Sequence, residues 1–120
     1  MSWEGIKFFK KQEFQCPCCK EEQMQMMFML DLVRARRLAN VPFVINSGYR
    51  CPKHNAELKE ASPTSSHMKG VACDIATPDN QTRLAVLQAL LAVGFERLGI
   101  AKTFIHVDSD KTKGKAVWMY

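Results

Sequence analysis

The sequence predicts an α+β domain in which a small, mostly antiparallel sheet packs with helices. Two segments, 21–39 and 81–93, carry apolar residues at three- and four-residue steps, as amphipathic helices do. Short β-branched runs lie between and after them, and helices and strands do not alternate as a parallel doubly wound sheet requires. A chain of 120 residues with 47% hydrophobic content can bury a core without crosslinks, so residues 1–120 are expected to form a single domain. No repeat or low-complexity tract divides it.

In the first helix, Met24, Met27, Phe28, Ala35 and Leu38 form the recurring apolar set, with the methionines read as core filler. Glu21 and Glu22 fall in its first turn, and Arg34, Arg36 and Arg37 near its end. That is the polarity the helix dipole favours, and Asn40 and Pro42 stop the helix. Residues 43–45 read as a buried strand leading into a loop over 46–50, and 52–60 as a short helix. Residues 61–66 are a loop by composition, and 71–76 the next strand. Pro78, Asp79 and Asn80 introduce the second helix, with Leu84, Leu87, Leu90 and Leu91 expected inside and Gly94 ending it. Strands are expected at 97–101, 103–108 and 116–120.

The net charge is +5, spread over residues 7–11, 34–37 and 111–115 with few aromatic residues among them. A solvated surface, or attraction to an anionic polymer, accounts for this as well as nucleic acid does. Neither nucleic acid nor membrane is an expected partner, and a monomer is expected. There is no run of about eighteen apolar residues and no signal-peptide order at the start, so cytoplasmic synthesis is expected. Of five cysteines, three crowd into Cys16-Pro17-Cys18-Cys19. They could hold structural zinc, but their spacing departs from the usual gap and no second Cys/His pair follows at finger spacing. Buried or reduced thiols are the preferred reading.

The chemistry lies in two strand-like runs. Side chains alternate across a strand, so Val71, Cys73 and Ile75 face the core while Asp74 sits on the other face between Ala72 and Ala76. The same parity puts Ile105 and Val107 in the core and His106 with Asp108 opposite. His67, at the start of the first run, can reach the same place. Two imidazoles and a carboxylate suit a catalytic zinc site, which leaves one position open for water. Taken singly, each residue is equally a hydrogen-bonded histidine or an aspartate accepting backbone bonds.

Ser47-Gly48-Tyr49-Arg50-Cys51-Pro52 with His54-Asn55, then Ser66-His67 through Gly70, Ala72 and Asp74-Ile75, then Ile105-His106-Val107-Asp108, resembles the zinc D-Ala-D-Ala carboxypeptidases and related phage endolysin peptidases. The segment Phe14-Gln15-Cys16 is similar to that family's start. The resemblance implies the fold shared with the signalling domain of hedgehog proteins. It also implies a single zinc ion held by His67, Asp74 and His106, and a peptidoglycan stem peptide as substrate. Arg50 is then expected to meet a carboxylate or oxyanion, and Ser66 to lie near the substrate. Such an enzyme would be made in the cytoplasm and act on the cell wall after release.

Some members carry a glutamate three residues before the last histidine, or a histidine two before it; here these positions are Thr103 and Phe104. Asp108 is the nearest acidic residue. It is expected to take the proton of the attacking water or to orient a ligand imidazole, with His54 and Glu96 next in line as bases. Two rivals remain: a zinc-binding module of the same fold without catalysis, and a basic nucleic-acid binder with a cysteine zinc site.

Overall fold

The computed structural model describes residues 2–59 and 61–120. Helix α1 spans Met26–Ala39, strand β1 Ile45–Ser47, helix α2 Pro52–Glu57, and strand β2 Ala72–Ala76. Helix α3 follows over Asn80–Val93, then strands β3 (Arg97–Ile100), β4 (Phe104–Asp108) and β5 (Ala116–Met119). The strands form one sheet in the order β1-β2-β4-β3-β5. Every pairing is antiparallel except that of β3 with β5. The α+β architecture with a mostly antiparallel sheet is therefore present.

One face of the sheet carries the core. Cys73, Ile75, Leu98, Ile105 and Val107 are fully buried, and they belong to the same cluster as Phe28, Met29 and Leu32 of α1 and Val86 and Leu90 of α3. Each such side chain contributes about 1.5–3 kcal/mol when removed from water. The alternation read from the sequence thus holds in both central strands. Asp74 and His106 stand directly opposite each other in the β2–β4 register, on the face away from the helices.

Three local readings are corrected. The first helix begins at Met26 rather than at residue 21, because the backbone ahead of it bonds elsewhere. Cys16 N–H donates to Glu21 O (2.7 Å), Met24 N–H to Glu22 Oε1 (2.8 Å) and Gln25 N–H to Gly70 O (2.9 Å). The first strand is shifted to Ile45–Ser47, where its register with β2 is broken by an irregularity. The helix faces match expectation only in part: Met24, Phe28, Ala35 and Leu90 are buried and Leu87 packs against the core, but four expected inward residues point outward. Met27, Leu38, Leu84 and Leu91 are exposed, while Met29, Leu32, Val86 and Ala89 fill the core. In α3, Leu84 and Leu91 lie on the outer side of the helix, while Val86, Leu87, Ala89, Leu90 and Val93 lie on the side that meets the core.

The caps of α3 match expectation. Asp79 accepts from Thr82 N–H at 2.7 Å, and Gly94 ends the helix in the left-handed conformation. Among the described residues, no helix is long and apolar enough to cross a membrane.

Candidate metal centre and cleft

His67 lies in a 3-10 turn over Ser66–Lys69, immediately before β2. Its Nδ1 is 2.7 Å from Gly48 O, so that nitrogen carries the proton and Nε2 is left with its lone pair. Gly48 can supply this carbonyl only because it lacks a side chain: a Cβ there would lie 2.7 Å from the Phe14 backbone. His106 is anchored the opposite way round. Its Nε2 donates to Asp108 Oδ2 at 2.7 Å, which leaves Nδ1 free to bind, 2.9 Å from Asp74 Oδ1.

Asp74 Oδ1 is also 3.4 Å from His67 Nε2. Ligand atoms of His67, Asp74 and His106 therefore all fall within 4.8 Å of one another. Two imidazole lone pairs and a carboxylate oxygen are the donor types of a three-ligand zinc site, and each imidazole has its other nitrogen tied to a fixed acceptor. The donor set fits the metal that the sequence motifs imply.

In place of a metal, the imidazole nitrogens that face Asp74 can carry protons, and the cluster is then held together by hydrogen bonds to the carboxylate. Burial pushes the Asp74 carboxyl up, but the bonds with His106 and His67 outweigh it and hold the group well below the usual carboxylate range. Burial alone would lower the His106 pKa, yet Asp108 and Asp74 raise it. For Asp108 the burial penalty is overcome by His106, the Asp110 N–H and Arg97, so it stays ionised.

Asp108 is itself fully enclosed. Its Oδ1 accepts from Arg97 Nε (2.7 Å) and from Asp110 N–H (3.1 Å) while Oδ2 takes His106. Arg50 lies at the edge of the triad with Nη2 3.9 Å from Asp74 Oδ2, braced by donating through Nε to Ser47 Oγ (3.4 Å) and through Nη1 to Asn55 Oδ1 (3.1 Å). Ser66 is buried beside the cleft and donates its hydroxyl proton to Asp110 Oδ2 at 2.7 Å, while Lys113 Nζ donates to it at 3.0 Å.

These groups open onto a cleft of about 770 Å³, whose lining includes Arg50, Lys59, Lys113 and Tyr120. Its only carboxylates among the described residues are Asp74 and Asp108. Glu96 lies outside this lining, ion-paired with Lys115 (3.0 Å), and the His54 ring does not line it either.

The chain matches the peptidase M15 family over residues 5–108. It belongs to that family. No curated protein matches it significantly. As an M15 peptidase it is a metallopeptidase, and the His67–Asp74–His106 cluster lies within the matched segment.

Two cleft residues of this M15 peptidase escaped sequence reading. Trp118 and Tyr120 arrive from the C-terminal strand, which pairs parallel with β3. Gly99 stands between His106 and Trp118 in the sheet register, and a Cβ there would meet the indole at 2.6 Å. The bare backbone lets Trp118 lie over it, with its ring 5.5 Å from that of His106 and 4.9 Å from the Arg97 guanidinium. Glycine in a strand was the available signal, but its partner is set only by the parallel pairing.

Proposed function

We propose that this M15 peptidase is a zinc enzyme that hydrolyses peptide bonds in bacterial peptidoglycan. We place it with the D-Ala-D-Ala carboxypeptidases or L-Ala-D-Glu endopeptidases, and with phage endolysins as its setting. The observation that carries the reading is the convergence of His67 Nε2, His106 Nδ1 and Asp74 Oδ1, with the opposite ring nitrogens bonded to Gly48 O and Asp108. Zinc held by these three residues would supply Lewis-acid activation of water and of the scissile carbonyl.

The chain's own residues supply the rest. Arg50 offers a guanidinium to the carboxylate of a stem peptide or to the oxyanion that develops on its carbonyl. Lys59 and Lys113 give the cleft a positive border, which favours a carboxylate-bearing substrate. Of the two roles open to Asp108, the hydrogen bonding supports orientation of His106, because both oxygens already accept and the group is held ionised. Tyr120, exposed along the cleft wall, keeps its phenol protonated at neutral pH as tyrosines ordinarily do, so it has a proton available for a leaving amine. Ser66 joins the 3-10 turn before β2 to Asp110 and Lys113, and its oxygen retains acceptor capacity at the cleft.

Digestion of purified peptidoglycan, with fragments identified by mass, tests the reading and names the bond. Stem-peptide fragments should appear with zinc and vanish on chelation. Wall binding with zinc retained and no fragments would indicate a non-catalytic module of the same fold.

A further inference from the structure

Away from the cleft, four sulfurs from two distant parts of the chain meet. Cys16, Cys18 and Cys19 lie on a tight turn, closed by Lys20 N–H donating to Cys16 O at 2.8 Å. Cys51 comes from the loop that carries Arg50. Sγ–Sγ separations are 3.6 Å for Cys16–Cys18, 3.6 Å for Cys16–Cys51 and 3.3 Å for Cys18–Cys51. The Cys19 sulfur joins them, with all four within 4.8 Å of one another.

These separations are far too long for S–S bonds, which need about 2.05 Å. Four mutually adjacent sulfurs also have no pairwise preference that would select one disulfide. A tetrahedron of thiolates around one zinc, with Zn–S about 2.3 Å, has edges of about 3.8 Å, close to what is seen. Two backbone amides already point at the sulfurs: Cys51 N–H donates to Cys16 Sγ and His54 N–H to Cys51 Sγ, each at 3.4 Å. Such bonds favour the thiolate form that a metal requires.

We infer that Cys16, Cys18, Cys19 and Cys51 form a second metal site, a closed tetrathiolate that takes one zinc ion for structure. Spacing within the first three cysteines argues against a finger because the fourth ligand is not in a finger at all. Cys51 closes the site from across the chain, next to Arg50. The same contact brings Tyr49 N–H to Phe14 O at 3.0 Å, so a metal here would clamp the amino-terminal turn onto the loop bearing Gly48 and Arg50. This inference does not depend on the peptidase reading.

Cobalt(II) titration of the reduced, metal-depleted full chain tests it. The result expected is an intense near-ultraviolet thiolate-to-cobalt absorption that persists in a His67→Ala, His106→Ala variant and disappears in Cys18→Ser, Cys51→Ser. Should the cysteine variant fail to fold, alkylation of the wild type decides. Cys18 and Cys19 are exposed, so zinc should slow their modification at least about tenfold, as peptide mass mapping would show. Absence of the absorption in the wild type, equal alkylation with and without zinc, or a native disulfide among the four would overturn the inference.

Discussion

His106 donates from Nε2 to Asp108 Oδ2 at 2.7 Å, which fixes both the tautomer of the imidazole and the direction of its remaining lone pair. Asp108→Asn keeps the shape but weakens that acceptor and leaves Arg97 without its carboxylate. Metal affinity at the histidine site should fall about 10–100-fold, with much of the activity regained at saturating zinc. Unchanged affinity together with lost turnover, measured by metal titration beside the assay, would return Asp108 to the role of base.

Arg50 spans Ser47, Asn55 and the edge of the triad, so its removal touches the fold as well as the substrate role proposed for it. Arg50→Ala should cost at least about a hundredfold in kcat/KM, the scale of one electrostatic contact to a developing charge. The two hydrogen bonds lost are worth about 1 kcal/mol each, so Tm should drop by several degrees without loss of folding. Arg50→Lys keeps the charge but not the fork, and should recover only part of the activity. Wild-type activity in the alanine variant would make Arg50 a loop brace and nothing more.

Strand parity makes much of this centre legible in the sequence. Two strands whose alternate residues are core-type must turn Asp74, His106 and Asp108 to one face, and the register then sets Asp74 opposite His106. Other features depend on contacts that no local pattern encodes. Cys51 reads as part of a Ser-Gly-Tyr-Arg turn until the fold carries it to Cys16 and Cys18. Trp118 and Tyr120 enter the cleft through a parallel pairing with β3, and residues 21–25 leave the helix because Gly70 and Glu22 take their amides. Helix periodicity likewise does not separate the outer Leu84 and Leu91 of α3 from the inner Leu87 and Leu90, a division that packing against the core makes.

Gly99→Ala tests the stacking at the cleft wall. The added Cβ would fall 2.6 Å from the Trp118 indole, so the ring must swing away from His106. A loss of about 1–3 kcal/mol is expected, with a red-shifted tryptophan emission as the indole becomes wetter. An unchanged spectrum and stability would show that Trp118 does not rest on Gly99.

Asp110 anchors the loop behind the centre. Burial would raise its pKa, but Thr112, Ser66 and Lys69 outweigh that and hold it far below the usual carboxylate range. A group depressed in the folded state contributes stability above its unfolded pKa of about 3.9, lost as pH falls through the folded value. Asp110→Asn should therefore lower Tm most at neutral pH, and the difference from wild type should shrink below about pH 4. Melting curves across pH check this, and a constant difference would contradict it.

If His67, Asp74 and His106 hold the metal on which cleavage of peptidoglycan peptides depends, three samples incubated with peptidoglycan must differ by mass analysis: zinc-loaded wild type, chelated wild type, and a folded His67→Ala, His106→Ala variant. Stem-peptide fragments are expected from the first alone, restored to the second by added zinc. Equal fragment release by the double variant, or by the chelated enzyme, would contradict it.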